Sequence, residues 1–309
     1  MRAGLAGRLL MLAALAAAAW AQAPYFEAPI LGYALDPASG SVRPILGVPG
    51  AARFEAPLRS EGELRPAALA PGRNYGLATS EEGLRILTWR DGVVRSAAFD
   101  GPAARFDRIV FSPDGLAVAL ETGSMLEIWN GMPDSPALVR RIAQTGGADA
   151  LALSDDGQSV AWAIGGRVVL SVAGRANVVA EGGRISSLAF SRASCDLAIA
   201  DEERGQILLV SATGAVSVLT RDIENPSNVA FSGDGRKLAV AAKSAVAVID
   251  LASREVATLA CDCGVDALVR VRGNAVFRLT EPAKGRAPLL DGDGAEPRIV
   301  FIAAGEESK

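Results

Sequence analysis

The chain repeats itself with a period near 40 residues, and no other property restricts its fold so strongly, because each repeat must bury its apolar faces against its neighbours. Val110-Phe111-Ser112-Pro113-Asp114-Gly115 aligns with Ala152-Leu153-Ser154-Asp155-Asp156-Gly157, Ala189-Phe190-Ser191-Arg192-Ala193-Ser194 and Ala230-Phe231-Ser232-Gly233-Asp234-Gly235. The aligned serines stand 42, 37 and 41 residues apart, and each line is followed by a second apolar run. Fainter copies, Leu69-Ala70-Pro71-Gly72 and Val269-Arg270-Val271-Arg272-Gly273, frame the set. An independent marker carries the same period. Apolar runs end before a polar turn at Leu35, Trp89, Trp129, Leu170, Val210, Ile249 and Leu290, and after the first interval of 54 the spacings are 40, 41, 40, 39 and 41.

Each unit reads as four short strands. The first ends at Ser-x-Asp-Gly, where the glycine supplies the positive φ of a tight hairpin and the aspartate bonds its own turn. The second is rich in Ala and Val, the third ends at the marker, and the fourth carries runs such as Val216-Ser217-Val218-Leu219. Apolar runs of four to six residues bounded by Gly and Asp favour strands over helices. Four-stranded units at this period predict an all-β fold, a β-propeller of four-stranded blades. Seven third-strand markers point to seven blades, and six blades plus an additional hairpin is the alternative. The N-terminal strands around residues 30–46 are expected to share a blade, or to complete one with the C-terminal strand 298–303.

Phe111-Ser112-Pro113-Asp114-Gly115 resembles the inner hairpin of the WD40-like and YVTN-type bacterial propellers, and of the TolB-like ones. Ile249-Asp250-Leu251-Ala252-Ser253-Arg254-Glu255-Val256 is similar to their outer hairpin, as is Leu35-Asp36-Pro37-Ala38-Ser39-Gly40-Ser41-Val42. The resemblance spans nearly all of the chain beyond the N-terminal segment. It implies an extracytoplasmic scaffold that binds a protein or surface glycan without catalysis. A calcium-dependent lactonase-like hydrolase is the other activity such propellers suggest. The chain departs from the Gly-His of true WD40 repeats, since it contains no histidine.

That absence removes the commonest general base and metal ligand, together with every Ser-His or Cys-His nucleophile pair. A formal charge of −4 disfavours a nucleic-acid surface. Half the residues are hydrophobic, and 33 Gly and 16 Pro punctuate the length, as a turn-rich globular chain requires. At the N-terminus, Arg2 and Arg8 precede an apolar run ending at Ala19, and Ala19-Trp20-Ala21 offers a small-x-small cleavage pattern before Gln22. Residues 1–21 are therefore read as a secretion signal, with residues 22–309 a single propeller domain, secreted or periplasmic. The apolar run is too short for a membrane helix, which needs about 20 residues, so no stable membrane insertion is expected after cleavage.

Candidate binding residues lie on loops that enter a first strand or leave a second. Asp222, Glu224 and Asn225, with Asp201 and Glu202 from the preceding unit, supply hard oxygens of the kind calcium takes, although Arg204 and Arg221 stand nearby. Their ordinary reading is solvated loop charge. Asp291-Gly292-Asp293-Gly294 has the opening of a calcium loop, but its twelfth position is Ile302 and a turn fits better. Cys261 and Cys263 form a candidate disulfide or thiol pair, while Cys195 falls in an inner hairpin turn on the opposite rim. Three thiols without histidine make a poor zinc site. Trp89, Trp129 and Trp162 are expected to pack between blades.

Overall fold

The serines of the repeat organise the inner hairpins through one recurring set of hydrogen bonds. Ser112 Oγ donates to Asp114 Oδ1 at 2.7 Å and accepts the Ala117 N–H at 3.0 Å, while the same carboxylate accepts the Leu116 N–H. Ser154 and Ser232 repeat the pattern with Asp156 and Asp234. The glycine that follows takes φ values of 70°, 69° and 70° in the three turns, a conformation that a Cβ resists. Asp114 thus belongs to the turn.

These hairpins build a ring of seven β-sheets, a seven-bladed propeller, in a computed structural model. The structure describes residues 28–36, 39–60, 65–99, 101, 106–144, 146–265, 267–280 and 287–305. The predicted secretion signal lies outside them. Blade 3 shows the plan: Arg108–Phe111, Ala117–Thr122, Met125–Asn130 and Ala137–Ala143 follow one another antiparallel from the axis outward. Blades 4 to 7 repeat it. Blade 2 is similar, with Arg59–Ser60 added parallel to its outer strand Val93–Ala98. Among the described residues there is no helix, and so none long and apolar enough to cross a membrane.

Second strands are buried on both faces, which explains their Ala- and Val-rich sequences. Ala117, Val118, Ala119 and Leu120 are all fully enclosed; burial contributes about 1.5–3 kcal/mol for Val118 and for Leu120, and about 0.8 kcal/mol for each alanine methyl. The three tryptophans sit between blades as expected: Trp89 against Tyr33, Trp129 against Phe99 and Trp162 in the cluster joining blades 3 and 4.

Ring closure follows the first of the two expectations, in which the N-terminal strands share one blade. Residues 30–35, 42–46 and 53–54 form a three-stranded blade 1 of their own, and Arg298–Ile302 remains the fourth strand of blade 7. Among the described residues the two ends meet through one parallel bridge, Arg53 to Ala303. The apolar cluster of Leu31, Ile45, Phe54, Val271, Leu289 and Ile302 seals this seam.

One outer and one inner turn of blade 6 carry acid-sensitive carboxyls. The backbone N–H groups of Ser253 and Ala252, together with the Ser253 hydroxyl, hold the exposed Asp250 carboxyl below its ordinary value. Burial pushes Asp234 up, but hydrogen bonds from Ser232 and the Arg236 N–H outweigh it and leave that carboxyl below its ordinary value too. A carboxyl depressed in the folded state adds stability above its unfolded pKa of about 3.9 and loses it as pH falls through the folded value. The urea midpoint is therefore expected to drop between pH 5 and pH 2–3, and Asp250→Asn to shallow that drop; an unchanged slope would count against the turn as its source.

Candidate functional site

Two rims offer sites. The loop rim carries the connections between blades and the second-to-third-strand turns; the turn rim carries the inner hairpins and the third-to-fourth-strand turns.

On the loop rim the five predicted oxygen donors divide. Asp222 and Glu224 line one groove of about 520 Å³ with Lys243, Ser244 and Thr258, between blades 5 and 6. Asn225 stands exposed beside it with φ 49°, a left-handed conformation that asparagine tolerates in a turn. Asp201 is fully buried and committed to its own turn, accepting from Gly183 N, Arg204 N and Gln206 Nε2 at 3.1, 3.1 and 3.2 Å. Glu202 pairs with Arg184. Among the described residues no three His, Cys, Asp or Glu side chains gather as a metal site. The arrangement is a polar groove of mixed charge.

Cys261 and Cys263 are joined as a disulfide with Cα atoms 5.1 Å apart, on the strand-entry loop of blade 7. Cys195 lies on the turn rim, exposed, at φ 56°. Burial and then the carboxylates of Asp156, Asp155 and Asp196 push its thiol up, which leaves less of the reactive thiolate. Asp291 and Asp293 serve the outer turn of blade 7: Asp291 accepts from Arg298, and Asp293 accepts the Asn274 and Ala275 N–H groups.

The feature that sequence reasoning missed is on the turn rim. Six first strands surround an axial shaft of about 300 Å³. One repeat position supplies a ring of its wall: Ala68, Val110, Ala152, Ala189, Ala230 and Val269. The shaft meets the turn rim at a mouth of about 280 Å³, lined by Arg73, Arg192, Arg270, Arg272 and Asp114. Backbone bonds fix the register, since Ala70 N to Tyr75 O and Val271 N to Val276 O reproduce Ser112 N to Ala117 O. In that register Arg270 occupies the place of Leu69, Phe111, Leu153, Phe190 and Phe231, an apolar position in every other described first strand that carries the motif. Arg192 and Arg272 occupy the place of Pro113. The signal available in the sequence was the degeneracy of the turns in blades 2, 5 and 7, which reads as decay until the side chains are seen to converge.

The guanidinium of Arg270 spans the mouth, Nη2 donating to Pro113 O at 2.9 Å from four blades along the chain. Arg73 Nε donates to Asp114 O at 2.8 Å. Arg192 pairs with Asp155 at 3.1 Å, whose other oxygen accepts the Asp114 N–H. Among the described residues no carboxylate stands within ion-pair distance of Arg73, Arg270 or Arg272. Burial, and then repulsion from Arg192, push the Arg270 guanidinium below its ordinary range despite Asp155 and Asp114.

No protein-family model and no curated protein matches the chain. Among solved structures it is similar to that of a functionally unknown protein from Desulfotomaculum acetoxidans DSM 771. The TM-score is 0.61 at 12% identity, over 90% of this chain and 100% of the other. At that identity the likeness speaks for the fold.

Proposed function

We propose that the protein is an exported, non-catalytic propeller that binds a protein or surface glycan through its loop rim. The observation that carries this reading is the groove of Asp222, Glu224, Lys243, Ser244 and Thr258, a concave polar surface set on two rigid blades. Concave sites on a rigid frame recognise partners with little ordering cost. Carboxylates, an ammonium and hydroxyls side by side suit the hydroxyl-rich surface of a glycan or the polar rim of a protein. Residues 1–21 would route the chain out of the cytoplasm.

The test uses the full chain expressed with its N-terminal segment, cross-linked to its surroundings before extraction. Intact mass is expected to show a mature N-terminus at Gln22. Partners recovered from the extracytoplasmic fraction are expected to fall about tenfold with Asp222→Ala/Glu224→Ala, as loss of two charge-assisted contacts would give. Equal recovery by the double variant, or recovery of cytosolic species alone, would overturn the reading.

A further inference from the structure

We propose that the turn-rim mouth and the shaft behind it form a binding site for a small amphipathic anion, a carboxylate or phosphate head carrying an apolar body. This site is separate from the loop-rim groove and does not depend on it.

Three observations meet here. First, the internal repeat is broken toward arginine at four places, against one acidic replacement, Asp155 at the place of Pro113. An arginine replaces Phe or Leu at position 270, and arginines fill the turn at 73, 192 and 272, on three blades separated along the chain. A chain of formal charge −4 gathers four of its cations around one opening. Second, the charge is under-compensated. Asp155 is engaged by Arg192, and the Asp114 carboxylate is engaged by Ser112 Oγ and the Leu116 N–H. Among the described residues Arg73 and Arg270 donate to carbonyl oxygens, with no carboxylate within ion-pair distance. A half-buried guanidinium without a counter-ion is costly, and the cost falls when an anion arrives. Planar guanidinium forks suit two-oxygen heads such as carboxylate and phosphate. Third, the mouth opens onto an apolar shaft. Pro71, Arg192 and Arg270 line both cavities, so a head held by the arginines places its body among Val110, Ala189, Ala230 and Val269. A shaft of about 300 Å³ is within the range of small-ligand sites, roughly 300–1,000 Å³.

The experiment is calorimetric titration of the full chain at low salt with acetate, octanoate, octyl phosphate and octanol. Octanoate and octyl phosphate are expected to bind, acetate at least about tenfold more weakly through loss of shaft contacts, and octanol not at all. Whichever of the two heads binds more tightly identifies the source of the anion. Arg270→Gln is expected to weaken octanoate about tenfold or more, the effect of losing one charge-assisted contact. Asp155→Asn is expected to tighten it, because the amide oxygen still accepts the Asp114 N–H while one negative charge leaves the mouth. Arg272→Gln, on an exposed side chain, gives a smaller weakening without risk to the fold. Equal binding of octanol and octanoate, equal binding of acetate and octanoate, or indifference to both Arg270→Gln and Asp155→Asn would overturn the proposal.

Discussion

Phe54→Ala is expected to lower the unfolding free energy by about 3–5 kcal/mol, the usual cost of emptying a buried aromatic site. Phe54 is 1% exposed and stands in the cluster that joins blade 1 to blade 7, under the Arg43 guanidinium at 5.3 Å from its ring centroid. Its backbone also makes the seam, since Phe54 N donates to Ala303 O at 3.0 Å and Ala303 N to Ala52 O at 2.9 Å. A urea titration measures the loss, and hydrogen exchange locates it. The Phe54 and Ala303 amides are expected to lose protection together, before the amides of blade 4, because the variant attacks closure. Uniform loss around the ring would show that this seam is no weaker than any other interface.

How the ring closes is the part of the fold that the sequence left open. The third-strand markers Trp89, Trp129, Leu170, Val210, Ile249 and Leu290 all fall in the third strands of their blades, because the marker reflects a period set by packing between identical units. Leu35 carries the same marker but ends the first strand of a three-stranded sheet. Periodicity records what a unit resembles, whereas its place in the sheet depends on which edges the neighbours leave uncovered. The same limit hid the arginine mouth. Arg73 and Arg270 are separated by nearly 200 residues, and only the hairpin register shows that both belong to inner hairpins around one axis. Loop charges such as Asp201 and Glu202 were plain in the sequence, yet their partners Gly183, Gln206 and Arg184 were not, so a turn anchor and a ligand looked alike.

Tyr75→Ala is the second large perturbation, again about 3–5 kcal/mol, at the interface of blades 2 and 3. The Tyr75 ring is buried and meets Phe111 edge to face at 5.6 Å, and its hydroxyl donates to Gly115 O in the neighbouring hairpin turn. Burial pushes the phenol well above its ordinary value, so it remains a neutral donor through the alkaline range. Tyr75→Phe separates the two contributions. It keeps the ring and leaves the Gly115 carbonyl short of a donor, which costs about 1–3 kcal/mol. Tyr75 and Phe54 belong to clusters that share no residue, so for a ring that unfolds as one unit the double variant is expected to add within about 0.5 kcal/mol. A double variant more damaging than the sum would mean that blades 1 and 2, cut at both flanks, detach while blades 3 to 7 remain folded. Closure would then act as a clasp on the N-terminal blades, and the arginine mouth, to which blade 2 contributes Arg73, would be the first site to be lost.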